Sequence, residues 1–256
     1  AHADAATTDH LTAVSSFLKS PELCAICHNF PHPFSGSSMQ DTYEEWKNGP
    51  YPKLGMRCQD CHMPQYTGSS AVGAPERKDL HAHVFSGGRS DLVKKVATVT
   101  AWAQVKEKPA KSAVNLKAVV ANVGSGHFMP TGLPGLRQMW LEVVVRTGQG
   151  VEVFANKTPI GIEPLGSDGK PTMPWNAVKF GTDTRIGPKQ KRGTEWQFPF
   201  PEDNPDRLEV RVSVYYRSIS ELAAQAAGIQ PSPAVEIASD RLRLFKDGRV
   251  EKVAVD

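Results

Sequence analysis

Cys24-Ala25-Ile26-Cys27-His28 and Cys58-Gln59-Asp60-Cys61-His62 are two copies of one pattern, and together they hold all four cysteines of the 256-residue chain. C-x-x-C-H is the signature of covalent c-type haem attachment. Two thiols three positions apart can both reach the vinyl groups on one edge of a porphyrin, and the adjoining histidine is then held beneath the ring to ligate iron. Random placement of these cysteines and histidines would produce one such match about once in five hundred chains, and two far less often. A zinc site would leave the Cys-His adjacency of both copies unused, and paired disulfides would leave two histidines without a role. A redox dithiol needs a strand-to-helix turn that the pattern lacks. The expectation is two covalently bound haem c groups, attached through Cys24, Cys27, Cys58 and Cys61, with His28 and His62 as proximal iron ligands.

Thioether attachment takes place outside the cytoplasm, and the sequence opens at Ala1 without an initiator Met or an apolar signal core. Those features predict a mature exported protein, periplasmic or otherwise extracytoplasmic. No run approaches the roughly 20 apolar residues of a membrane-spanning helix, so a soluble chain without a membrane span is expected. The 30 basic and 27 acidic side chains are interspersed, which removes the electrostatic footprint of a nucleic-acid binder. The 21 glycines and 20 prolines are too many for a compact helical bundle and point to strands joined by turns.

The texture changes along the chain. Residues 1 to 94 read as a dihaem cytochrome c domain, mostly helical or irregular, with seven of the eight histidines. Asp9 caps a predicted helix carrying Leu11, Val14, Phe17 and Leu18 that ends at Pro21. Asp41 with Glu44 forms a predicted capping box for a helix through Trp46, stopped at Gly49-Pro50. Pro64 to Lys78 reads as loop. Residues 95 to 256 read as a β domain with strands at Val96–Lys106, Ala113–Val123, Gln138–Thr147, Val151–Ala155, Glu195–Phe200, Leu208–Arg217 and Val235–Phe245. Ser218 to Gly228 is the one helix expected among them. The fold class is thus α+β, an irregular haem-binding segment followed by an immunoglobulin-like antiparallel β-sandwich.

The sixth position of each iron decides between carrier and catalyst. His2 sits near a terminus, and His10 is a remote candidate. His32 follows His28 by four residues and emerges on the proximal side of its own haem. His81 and His83 stand after the second motif, within reach of both haems. His127 lies in Gly124-Ser125-Gly126-His127-Phe128-Met129-Pro130-Thr131-Gly132, where small residues allow close backbone approach to a flat cofactor. Met39, Met56 and Met129 are possible sulfur ligands, Met129 the foremost because its loop faces the cofactor, and a His/Met iron would have a higher potential than a bis-His one.

Taken in order, Cys24-x-x-Cys27-His28, Thr42-Tyr43-Glu44-Glu45-Trp46, Cys58-x-x-Cys61-His62-Met63-Pro64, His83-x-Phe85-x-Gly87-Gly88 and Gly126-His127-x-x-Pro130-Thr131 resemble the multihaem c-type cytochromes of the family that includes the tetrahaem cytochromes. The resemblance spans residues 20 to 145. It implies that His83 and His127 are distal ligands, without fixing which serves which iron. Longer members carry further C-x-x-C-H sites and a histidine just after the glycine pair, where this chain has Arg89.

Two bis-His irons suit an extracytoplasmic electron-transfer protein that cycles Fe(III)/Fe(II) between redox partners, free or within a larger electron-transfer complex. No separate catalytic constellation stands out. The competing expectation is a haem enzyme, a peroxidase or a reductase of small nitrogen or sulfur compounds, with one open iron and His81, Arg89 and Arg137 as distal polar groups. A third is a binding module whose β domain recognises a partner.

Overall fold

The computed structural model describes residues 15–31, 38–106, 112–201 and 206–254. The helix expected from Asp9 through Val14 falls outside them, as do His2, His10 and His32; Phe17 and Leu18 lie in a short 3-10 turn, both exposed.

The cysteine-bearing segment is built from short pieces. Helix α1 (Glu22–His28) and helix α3 (Cys58–His62) each carry one C-x-x-C-H motif, and α2 (Thr42–Lys47) lies between them. Thr42 to Lys47 is helical as its pattern predicts, yet Asp41 does not cap it through its side chain. A reciprocal box forms instead at α3, where Asp60 Oδ2 accepts the Arg57 N–H at 2.7 Å and Arg57 Nη2 meets Asp60 Oδ1 at 2.9 Å. The segment is also less purely helical than expected. Strands β1 (Phe30–Pro31) and β2 (Ser38–Gln40) pair, and the stretch from Pro64, read as loop, is a hairpin of β3 (Gln65–Ser69) and β4 (Glu76–His81). Its strands alternate poorly and bury almost nothing, so the sequence offers no period-2 signal to find them.

Strand dominates the described residues, 43% against 18% helix. The second part holds β5 (Ala97–Lys106), β6 (Ala113–Asn122), β7 (Gln138–Thr147), β8 (Glu152–Ile160), β9 (Pro164–Leu165), β10 (Lys179–Phe180), β11 (Lys191–Pro199), β12 (Arg207–Arg217), α4 (Glu221–Ala227), β13 (Val235–Phe245) and β14 (Val250–Val253). Three strands run in the order β11-β6-β5 and five in the order β14-β13-β12-β7-β8, all antiparallel, with β9 and β10 forming a small separate ladder. Strict alternation decides the inward faces: Met139, Leu141, Val143 and Val145 from β7 meet Val210, Val212, Val214 and Tyr216 from β12 in one core with Val114, Leu116 and Val120 of β6. Each fully buried Val or Leu contributes about 1.5–3 kcal/mol. Helix α4 forms where its alanines predict, capped by the Ser220 hydroxyl and closed by left-handed Gly228.

Strand β5 is an edge, and the N–H groups on its side away from β6 have no strand in their own sheet to accept them. Asp240 of β13 supplies one, accepting from the Ala101 N–H at 2.7 Å while Lys252 neutralises its charge. The two sheets are tied at this edge. Asp240→Ala is expected to strand the buried Ala101 donor and cost about 2 kcal/mol, read as a lower urea midpoint at unchanged m-value.

Candidate functional site

Three imidazoles from distant parts of the chain converge. His62, at the end of α3, and His127, in the loop after β6, lie with ring centroids 6.2 Å apart and planes inclined by only 18°. His28 stands close enough that, after burial, the charge of His62 is what lowers its basicity further. His62 is held from both sides by one residue: its Nδ1 donates to the Ser86 carbonyl, and the Ser86 N–H donates to the His62 carbonyl at 2.9 Å. His127 Nδ1 lies 2.9 Å from both the Phe128 carbonyl and the Ser125 hydroxyl, and His28 Nδ1 lies 2.7 Å from Gln40 Nε2. With Nδ1–H spent on a carbonyl, as in His62 and His127, the tautomer that remains presents the Nε2 lone pair. Burial, opposed by the Phe128 carbonyl but reinforced by His62 and His28, brings the His127 pKa down to about 4, so its ring is neutral at neutral pH.

The loop that delivers His127 is fixed through a buried carboxylate. Glu45 of α2 accepts from the Phe128 N–H at 3.1 Å and the Thr131 hydroxyl at 2.7 Å, and it pairs with Arg185 at 2.6 Å. Burial still pushes its carboxyl above the ordinary range. From the β side, Asn122 donates to the His127 carbonyl at 2.9 Å and accepts from the Ser125 N–H at 3.0 Å. Loop glycines here serve protein contacts: a Cβ on Gly124 would sit 2.3 Å from the Lys95 carbonyl oxygen, and one on Gly126 would meet Trp46 and Tyr51. Arg185, Asn122 and Ser86 do not stand out in the sequence; Glu45 lies in the Thr42–Trp46 run, and the Gly87-Gly88 pair follows Ser86.

The other expected residues scatter. His81, on β4, donates Nδ1 to the Met63 carbonyl at 2.7 Å. His83 is exposed, its ring 5.7 Å from that of Phe85. Met129 is buried in the β core and its backbone pairs with Ile186. Met39 is buried, and Met56 is partly exposed.

Cys27 and Cys61 are exposed, whereas Cys24 and Cys58 are partly sheltered and their thiols hydrogen-bond. Burial, then the neighbouring Cys24, pushes the Cys58 thiol up to about 12. Large apolar side chains crowd this otherwise polar segment's surface: Ile26, Leu54 and Phe85 are each 67% exposed, with Phe17, Leu18, Tyr66 and Val84 also open. Such a concentration calls for a cover. These residues fit a haem at each motif: paired thiols on one helical turn, an imidazole beside them, and apolar side chains for a flat apolar ring. Among the described residues no three His, Cys, Asp or Glu side chains converge into a metal cage. An iron whose equatorial donors come from a porphyrin asks the protein only for axial ones.

No protein-family model and no curated protein matches the chain. Among solved structures it is similar to a penta-heme cytochrome c552 from Thermochromatium tepidum, with a TM-score of 0.65 and 23% identity, over 89% of this chain and 57% of that one. The chain thus spans little more than half the length of that cytochrome. Likenesses to a protein described as a beta-galactosidase from Bacteroides fragilis (TM-score 0.30, 12% identity, 58% of this chain and 17% of that) and to the ApaA protein from Bordetella pertussis (0.24, 9%, 62% and 88%) carry no argument. The first likeness shows a multihaem-cytochrome-like fold. No helix among the described residues is long and apolar enough to cross a membrane.

Glu45→Ala leaves Arg185 and the Phe128 N–H without their buried partner and is expected to cost about 3 kcal/mol, measured by denaturant unfolding. Glu45→Gln, which keeps one acceptor and the shape, is expected to lose less.

Proposed function

We propose that this chain is an extracytoplasmic dihaem c-type cytochrome that passes electrons between redox proteins. One haem is attached at Cys24 and Cys27 with His28 below its iron, the other at Cys58 and Cys61 with His62. The observation that carries the reading is the His62–His127 geometry. Two imidazoles that shared one metal ion would stand about 6 Å apart, given about 2 Å for each metal–nitrogen bond and about 1 Å from nitrogen to ring centre. The 6.2 Å between these near-parallel rings is of that order. His127 is therefore assigned to the iron of His62, and His83, exposed beside Val84 and Phe85, to the iron of His28.

Haem supplies the one-electron Fe(III)/Fe(II) couple, and the chain's own residues set its conditions. Ser86 and Phe128 fix the two ring orientations through Nδ1, Glu45 and Asn122 hold the His127 loop at a set distance from α3, and the apolar side chains exclude water. Two saturated irons leave no site for a substrate, which favours a carrier over a catalyst.

The same reading takes residues 1–94 as the dihaem domain and residues 95–256 as a two-sheet sandwich. The β11-β6-β5 and β14-β13-β12-β7-β8 orders support an immunoglobulin-like arrangement, and the Asp240 tie and shared core support face-to-face packing. The loops after β6 and β12 lie at the end that receives the cysteine-bearing segment.

Intact mass of the purified exported protein is expected to exceed the polypeptide by two haems, and by one in a Cys58→Ala/Cys61→Ala variant. The ferric protein is expected to be wholly low-spin, with cyanide and azide without effect. His127→Ala should convert half of the iron to a high-spin, ligand-binding form; an unchanged spin state in that variant would refute the assignment.

A further inference from the structure

We propose that Arg89, Arg137 and the Tyr216 hydroxyl form a site for an anionic oxygen group, occupied by a propionate carboxylate of the haem attached at Cys58 and Cys61. The proposal rests on the haem reading above. Tyr216 closes the inward face of β12 and is only 9% exposed. The Gly87-Gly88 turn presses directly on its phenol: a Cβ on Gly88 would lie 2.2 Å from the hydroxyl oxygen. Two residues before that contact, Ser86 holds the ring of His62, and immediately after it comes Arg89. The phenol is therefore a near neighbour of the proximal imidazole's support.

Arg137 is the second guanidinium. It precedes β7, donates Nη1 to the Ser218 carbonyl at 2.5 Å and lines a cavity of about 410 Å³ that also reaches Pro130 and Thr131 of the His127 loop. The positive charges of both arginines act on the Tyr216 hydroxyl, opposing the upward push of burial on its pKa. Arg57, Arg77, Arg185 and Arg217 each have a carboxylate within 3 Å. Among the described residues neither Arg89 nor Arg137 has one within 4 Å. Arg89, exposed just after the Gly88 contact, and Arg137, at the Ser218 carbonyl two positions beyond Tyr216, are two guanidiniums without a protein carboxylate, and such planar donors bind carboxylates and other oxyanions. A haem held at α3 would carry two carboxylates of its own, and these would require cationic partners if they were buried.

A small free oxyanion is the other source of the same chemistry, and the full-length holoprotein separates the two. Spectroelectrochemical titration gives each haem's midpoint potential, and calorimetry with sulfate and with nitrite probes a free anion. With a propionate as occupant, Arg137→Gln lowers the potential of the His62/His127 haem, because a charge that disfavours ferric iron is lost, and leaves the other haem unmoved. Arg137→Lys restores most of the shift, Tyr216→Phe gives a smaller shift of the same sign, and neither anion binds. Stoichiometric sulfate or nitrite binding that Arg137→Gln abolishes, with both potentials unmoved, overturns the propionate assignment in favour of a free oxyanion. Unmoved potentials without anion binding, in protein that retains both haems, overturn the site altogether. Protein that purifies without haem overturns the haem reading itself.

Discussion

One buried carboxylate couples the two parts of this molecule. Glu45 stands on a short helix of the cysteine-bearing segment, yet its acceptors serve the Phe128 N–H, the Thr131 hydroxyl and the Arg185 guanidinium, all from the β part. Because Phe128 follows His127 directly, the carboxylate sets where that imidazole stands relative to α3. The 6.2 Å separation of His62 and His127 is then a property of the interface between the parts rather than of either one alone. A buried ionic group with this many satisfied bonds adds little net stability over an apolar replacement but specifies position closely. Position is what an axial ligand needs.

The cysteine-bearing segment is the converse of the β part. The β strands bury alternate Val, Leu, Ala and Met side chains until almost nothing apolar of theirs is exposed on the inner faces. The segment before residue 95 leaves Ile26, Leu54, Val84 and Phe85 on its surface and holds itself together by polar contacts, such as the Arg57–Asp60 box and the Gln59 to Ser20 bond at 2.7 Å. Conformational entropy opposes ordering so small and irregular a piece, and its own side chains bury too little to offset it. Two porphyrin faces would supply the missing apolar area. Cofactor and fold are in this sense one problem.

Much of this was legible in the sequence, for identifiable reasons. The C-x-x-C-H spacing is chemistry that tolerates no slack, so Cys24, Cys27, His28, Cys58, Cys61 and His62 could be singled out without a fold. The strands from Ala97, Ala113 and Gln138 alternate cleanly because each has one buried face, and those from Arg207 and Val235 do so on either side of a bulge. The β3–β4 hairpin and β14 were not legible, since they bury little and carry no alternation. His127 stands out in the sequence because glycines flank it, although Gly124 and Gly126 face Lys95, Trp46 and Tyr51. Met129, in the same loop and open as an alternative sulfur ligand, is buried with the β core, and its backbone bridges to Ile186. Glu45, Asn122 and Ser86 act through contacts of 5 to 140 positions in sequence, and no local pattern announces them.

The account's central claim is that His62 and His127 share one iron. A crystal structure of the haem-loaded protein measures it directly. The account predicts Nε2 of both rings at about 2 Å from the iron of the haem bound to Cys58 and Cys61, with each Nδ1 still on its carbonyl. A methionine sulfur, another histidine or an open position opposite His62 would contradict it.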